Sequence, residues 1–168
     1  MTQALHQSSS VAPLPASACA SLALIWPAVA GFLWGPHRLR SGIWYWRLRK
    51  PSFQPPDAAI PLAWTTIDSG LAVGAYRLLR SPASPERSRA LRWWALNVGL
   101  IGGWSGIFFG RRNLPVSTVV AAAMVGTGAA YAAHAHKVDK PAAYSGVLYV
   151  SWVAFATVLT AALWRRNR

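Results

Sequence analysis

One carboxylic acid stands where charge is expensive. Asp68 is the single charged residue between Asp57 and Arg77, and if that stretch is helical it lies roughly 12 Å along the axis from Ile60. An ionised carboxylate there must be neutralised, solvated or paired. Two chemistries fit it: a pocket carboxyl that contacts ligand polar groups or a proton, or a carboxyl satisfied by Thr65, nearby backbone or water at a pocket mouth. Four tryptophans, Trp26, Trp64, Trp104 and Trp152, lie in similarly uncharged stretches. Indole faces stack on flat apolar molecules, so such residues either line a pocket, face lipid or fill gaps between helices. His134 and His136 are two residues apart, point in different directions on a helix and cannot chelate one ion. His37 would reach a haem iron only if its loop folded inward. No Ser-His-Asp set, paired carboxylates, HExxH or phosphate-binding glycine loop is present, so no catalytic residue and no metal site is assigned. That argues against a conventional hydrolase or transferase and leaves open photochemistry on a bound pigment.

The elements that hold these groups follow from where charge falls. Of 168 residues, 54% are hydrophobic and only 12% charged, yet 17 Lys and Arg against 4 Asp and Glu give +13. A soluble protein of ordinary composition spends about a quarter of its residues on charge. The deficit points to lipid as the solvent; the alternative meaning of a basic chain, nucleic-acid binding, requires the cations on one face of a soluble domain. They are instead clustered between long uncharged stretches, which rules in the first and removes the need for the second. Five stretches approach the roughly 20 residues that cross a bilayer: 17–34, 60–76 or 79, 91–110, 114–135 and 142–164. The expected fold class is an all-α integral membrane protein, a bundle of five transmembrane helices with a Pro/Trp-rich loop between the first two.

Residues 1–16 read as a flexible tail, 17–164 as one membrane domain, 165–168 as a basic tail, and 81–88 as a flexible linker. The first stretch resembles a signal sequence at Ala28-Val29-Ala30, but no Lys or Arg precedes it, so it is kept as a helix, kinked by Pro27. Trp34, Trp44, Trp46, Trp93, Trp94 and Trp164 adjoin basic clusters, as an interfacial belt requires. One Cys, Cys19, excludes an intrachain disulfide and a thiolate cluster. Ten Lys and Arg fall on the side of the first loop, third loop and C-terminus against seven on the other, which favours a cytoplasmic C-terminus. Gly99 with Gly103 and Gly102 with Gly106 form two overlapping small-residue pairs in the third span. Such pairs let helix backbones approach, either within the bundle or across a homodimer face, and both remain open.

The segment Trp44-Tyr45-Trp46-Arg47-Leu48-Arg49-Lys50-Pro51-Ser52-Phe53-Gln54-Pro55-Pro56 is stiffened by three prolines into a cover for one end of a bundle. Trp44-Tyr45, Leu48, Lys50-Pro51 and Pro55-Pro56, followed by Ala63-Trp64-Thr65, resemble the loop signature of the TspO/MBR family, the tryptophan-rich sensory proteins related to the mitochondrial translocator protein. Trp104-Ser105 with Phe108-Phe109-Gly110 resembles the family's third helix. Tyr149, Trp152, Phe155-Ala156, Leu159 and the ending Trp164-Arg165-Arg166-Asn167 resemble its fifth, and the resemblance covers about 25–167.

That resemblance implies a five-helix protein, often dimeric, with a pocket under the first loop and an association with tetrapyrroles such as protoporphyrin IX and haem, with sterols, and with regulation of pigment metabolism. No cofactor is obligatory. Carried onto this chain, the pocket would use Trp44, Pro51, Phe53, Trp64, Asn97, Trp104 and Trp152, with Asp68 added from the residue reading and Arg47, Arg49 or Lys50 as a cationic rim for propionates. The expected partners are the lipid bilayer, a tetrapyrrole-like molecule and a second copy of the chain; nucleic acid is not among them. Departures are specific: Asp68 replaces a family Tyr, Asn97 a Gln, Ile101 an Asn, and Leu159-Thr160-Ala161 a Leu-Asn-Tyr. Loss of that Tyr argues against sterol binding through the short motif it belongs to. Three functions follow: a tetrapyrrole-binding sensor, regulator or carrier; light-dependent porphyrin breakdown; or a ligand-free assembly subunit of a membrane complex.

Overall fold

The computed structural model describes residues 38–168, all of whose regular structure is helical. Helix α1 is Arg38–Arg47, α2 Ala59–Arg80, α3 Pro85–Ser105, α4 Leu114–His136 and α5 Lys140–Arg166; a single π-helical turn, Gly106–Gly110, extends α3. The expected span at 17–34, with Trp26, Pro27 and Cys19, lies outside the described residues, as do Trp34 and His37. At each of the other four expected positions stands a long helix. Of these, α4 and α5 are long and apolar enough to cross a membrane. In α2 the Thr65-Thr66 pair, Asp68 and Ser69 lower the average, and in α3 the first eight residues hold Glu86, Arg87, Arg89 and Arg92.

Two segments differ from the sequence expectation. The run 38–47, expected as loop, closes into α1, which leaves the prolines from Pro51 onward to form the loop proper. The linker expected at 81–88 ends early, because Ser84 accepts a hydrogen bond from the Arg87 amide and Pro85 starts α3. The same grammar opens two more helices. Asn113 caps the Val116 amide ahead of Pro115, and Asp139 caps the Ala142 amide ahead of Pro141. A polar cap supplies an acceptor to an orphan amide, and proline occupies a position whose own N–H has no partner.

Successive long helices run antiparallel, and three sets of contacts fix their register. Arg77 pairs with Asp139 at one end of α2 and α5, while Trp64 meets Trp152 toward the other. The Trp94 indole donates to the Leu71 carbonyl, tying α3 to α2, and the Trp104 indole donates to the Ser117 carbonyl, tying α3 to α4. Trp94 is therefore a packing residue rather than a member of an interfacial belt. The most extensive interface is between α4 and α5, where Gly128 and Gly146 admit the rings of Tyr149 and Tyr131.

The helices approach one another through Gly, Ala, Ser and Tyr, with Ile67, Leu71, Leu78, Met124 and Val153 filling the core between them, while Leu62 and Val119, each 69% exposed, point outward with Val147 and Val158. Apolar side chains outside and close backbone packing inside are what lipid selects, because lipid gives no hydrophobic drive to bury Val and Leu. Hydroxyls on the outer faces are satisfied within their own helix: Thr65 donates to the Pro61 carbonyl, Thr66 to Leu62, Ser69 to Thr65 and Ser151 to Val147.

The end of the bundle away from α1 is ionic. Glu86 accepts from His134 at 2.6 Å and from Arg89, with Lys137 at 3.9 Å, and Asp139 takes Arg77 through two nitrogens. The hydrogen bond from His134 is the main cause holding the Glu86 carboxyl below its ordinary range, and that from Arg77 does the same for Asp139.

Two outcomes follow. An added Cβ at Gly128 would lie 2.7 Å from Tyr149 Cε1, whereas at Gly126 it would meet nothing within 4 Å. Gly128→Ala should therefore lower the thermal midpoint of the detergent-solubilised protein by an overpacking cost of about 1–3 kcal/mol, while Gly126→Ala should hold or raise it through helix propensity. Because the Glu86 carboxyl is depressed in the folded chain, its contribution is present at neutral pH and is lost as pH falls below about 4. Glu86→Gln should lower the midpoint at neutral pH, and thermal scans across pH should show the gap to the parent closing in acid.

Candidate functional site

A rigid cover closes the α1 end of the bundle. Pro51 is buried, the Gln54 amide donates to the Pro51 carbonyl, and Asp57 gathers both Lys50 Nζ at 3.1 Å and Gln54 Nε2 at 3.2 Å. The cover is latched to the C-terminus by Asn167, which accepts from the Arg49 amide at 2.9 Å and donates through Nδ2 to the Arg49 and Leu163 carbonyls. A carboxamide pairing with both backbone groups of one residue fixes that strand of loop as a sheet partner would.

Lys50 sits 4.4 Å from the Tyr45 ring centre and 4.5 Å from that of Trp46, in addition to its ion pair. Of the three expected rim cations it is the committed one; Arg47 and Arg49 keep exposed side chains. Arg112, which no rim expectation included, stands 6.0 Å over the Trp44 ring.

Below the cover the aromatic side chains fall into two groups. In the first, Trp104 stacks on Phe108 at 4.8 Å, and Trp44 meets the edge of Phe108 at 5.7 Å. The π turn places Phe108 there, since its extra residue per turn moves that ring to the inner face. With Leu114, Leu159 and Leu163 this group forms a closed plug. Trp104 has its N–H committed to Ser117, so neither its face nor its polar edge is free.

The second group is more open. Trp64 and Trp152 stand nearly perpendicular at 6.4 Å, Trp152 meets Phe155 at 5.5 Å, and Phe53 descends from the cover onto Phe155 at 6.4 Å. Beside them a groove of ≈ 340 Å³ runs between α2 and α5, lined by Ala63, Thr66, Ile67, Leu148, Ser151 and Trp152. Trp152 Nε1 is buried and has no hydrogen-bond partner among the described residues. A buried donor without an acceptor is costly, on the order of 1–3 kcal/mol, unless a ligand or water meets it.

Deeper still, Asn97 joins three helices. Its Oδ1 accepts from Thr127 Oγ1 of α4 at 2.7 Å and from the Tyr149 hydroxyl of α5 at 3.1 Å, and its Nδ2 donates to the Trp93 carbonyl at 2.8 Å. Asn97 is 1% exposed and Tyr149 fully buried. Asp68 of α2 is half-buried, one helical turn beyond Trp64. It makes no hydrogen bond or ion pair among the described residues.

The expected set therefore divides in space. Phe53, Trp64, Trp152 and Asp68 share the α2–α5 side beneath the cover, Trp44 and Trp104 belong to the plug, Pro51 is part of the cover, and Asn97 holds the bundle together. Sequence reasoning gave no structural role to Thr127, Tyr149, Asp57 or Asn167. Tyr149 and Asn167 carried a signal as motif positions; Thr127 carried none, because the side chain it answers is thirty residues away. Among the four expected packing glycines, Gly99 and Gly103 face open space, and an added Cβ there meets nothing within 4 Å.

Replacing Asn97 by Leu strands the Tyr149 hydroxyl among apolar groups. Asn97→Leu should cost about 2–4 kcal/mol of stability, seen as a lower thermal midpoint, whereas Thr127→Val, which removes one of two bonds to Oδ1, should cost about 1 kcal/mol.

Comparison with known proteins finds relatives over most of the chain. The TspO/MBR family profile matches residues 20–165. A translocator protein of Sus scrofa is 32% identical over 145 residues, covering 84% of this chain and 86% of that protein. Protein CrtK of Rhodobacter capsulatus is 32% identical over 129 residues, 75% of this chain and 79% of its own length. A tryptophan-rich sensory protein of Cereibacter sphaeroides is 29% identical over 134 residues, 80% of this chain and 78% of its own length. With its apolar helices and near-full-length match, the chain is an integral membrane protein that belongs to the TspO/MBR family.

Proposed function

We propose that the chain is a five-span, multi-pass membrane protein that binds a planar hydrophobic ligand, a tetrapyrrole such as protoporphyrin IX or haem, beneath the cover. It acts there as a sensor, regulator or carrier in tetrapyrrole or pigment metabolism. The observation that carries this reading is the Trp64–Trp152 pair, of which Trp152 lines a groove and keeps its indole N–H unpartnered among the described residues. A flat macrocycle gains dispersion against indole faces, and its propionates find Arg47, Arg49 and Arg112 at the cover end. The described histidines, His134 and His136, lie at the opposite end of α4, so axial coordination of a haem iron by them at this site is not part of the proposal. The names of the similar proteins, sensory and translocator, support sensing or transport of a small hydrophobic molecule.

The ten-to-seven distribution of Lys and Arg supports a cytoplasmic C-terminus and cover. Gly99 and Gly103, open beside the 45% exposed Leu96, support a homodimer face on α3. A second reading, light-dependent porphyrin breakdown with dioxygen as oxidant, draws on the same two indoles as oxidisable neighbours of a bound pigment.

Titration of the purified protein with protoporphyrin IX in the dark should give saturable quenching of Trp fluorescence. Trp64→Phe and Trp152→Phe should each weaken binding by up to roughly tenfold, the scale of about 1.4 kcal/mol for one lost aromatic contact. Porphyrin loss on illumination that disappears in those variants would establish the second reading. Absence of binding at micromolar ligand would overturn both and leave the assembly subunit.

A further inference from the structure

The family-like features of the site are aromatic, and the carboxyl that stands one helical turn from Trp64 is not explained by them. We propose that Asp68 recognises a positively charged nitrogen on the ligand, so that the site selects a planar hydrophobic amine or protonated N-heterocycle over an acid or a neutral analogue. The inference rests on the ligand-binding reading above and adds the chemical class of what is bound.

The argument is one of donors. Asp68 follows Trp64 by four residues on α2, so both lie on one helix face about 6 Å apart along the axis. Among the described residues the hydroxyl and amide donors nearby are committed elsewhere, and the unpartnered N–H of Trp152 reaches no acceptor, Asp68 included. The Thr65 hydroxyl donates to the Pro61 carbonyl and Ser69 to the Thr65 carbonyl, which answers the expectation that Thr65 would satisfy the acid. The Tyr149 hydroxyl donates to Asn97 Oδ1, Thr127 does the same, and the Asn97 amide is spent on the Trp93 carbonyl. The cations of the flanking ends are held too: Arg77 by Asp139, Arg80 by Tyr76 and Lys50 by Asp57. Asp68 is thus an acceptor with no donor among the described residues, one helical turn from two indole rings set at 87° to each other.

A carboxylate beside aromatic faces is the arrangement that recognises organic cations. The rings attract the positive charge through their quadrupoles, and the carboxylate completes a charge-assisted hydrogen bond. The same group repels a carboxylate ligand. A molecule carrying both charges would therefore enter with its nitrogen toward Asp68 and its acids toward Arg47, Arg49 and Arg112 at the cover.

The test uses two porphyrins identical except that one carries a single alkylamine and the other its N-acetyl derivative. The purified protein should bind the amine about tenfold or more tighter, a difference of one charge-assisted contact. Asp68→Asn should bind the acetylated porphyrin as the parent does, which also shows that it is folded, and should lose the preference for the amine; Asp68→Glu should restore most of it. Equal affinities in the parent, or a preference that survives in Asp68→Asn, would overturn the assignment of Asp68 while leaving the aromatic site in place. Failure of the parent to bind either porphyrin would overturn the ligand-binding reading as well.

Discussion

In hydrocarbon a polar group has no water to fall back on, and the Asn97 carboxamide shows how this chain meets that constraint. One side chain accepts from α4 and α5 and donates within α3, so three helices are joined at a point that none can leave without stranding a buried partner. Glycines make the junction possible. Gly128 lets the Tyr149 ring lie against α4, and Gly146 does the same for Tyr131, whose hydroxyl reaches the Ala142 carbonyl. Close backbone approach and a shared polar node replace the hydrophobic drive that would hold a bundle together in water.

This concentrates rigidity on the α3–α4–α5 side. Among the described residues the α4–α5 interface is the most extensive, while α2 shares less with α3 and with α5. The groove, the Trp64–Trp152 pair and Asp68 all lie along the more lightly packed α2. A site placed there can adapt to a ligand without breaking the Asn97 node. The cover is held from elsewhere, by Asn167 of the C-terminus and by the Lys50–Asp57 pair, so the ceiling of the site is fixed while one wall is lightly held.

Much of this was legible in the residues. Uncharged runs between basic clusters located α2, α4 and α5 within a few residues, since charge is excluded from hydrocarbon wherever it lacks a partner. The start of α3 was misplaced because a charge-rich first turn resembles a linker; the cap at Ser84 followed by Pro85 is the stronger signal. The separation of Trp104 from Trp64 and Trp152 could not be read from spacing, because it depends on the π turn that brings Phe108 against Trp104. Of the small-residue pairs in α3, Gly99 and Gly103 face open space, and the tight approaches among the described glycines are at Gly74, Gly128 and Gly146. A glycine marks where a neighbour is permitted, and only the fold determines which neighbour comes.

The central claim, that ligand meets the α2–α5 side rather than the aromatic plug, is tested most directly by the indole N–H signals in an NMR spectrum of isotope-labelled protein. On addition of protoporphyrin IX, the Trp64 and Trp152 signals should move or broaden, while those of Trp94 and Trp104, held by the Leu71 and Ser117 carbonyls, should stay in place. Movement of the Trp94 and Trp104 signals with those of Trp64 and Trp152 unchanged would contradict the account.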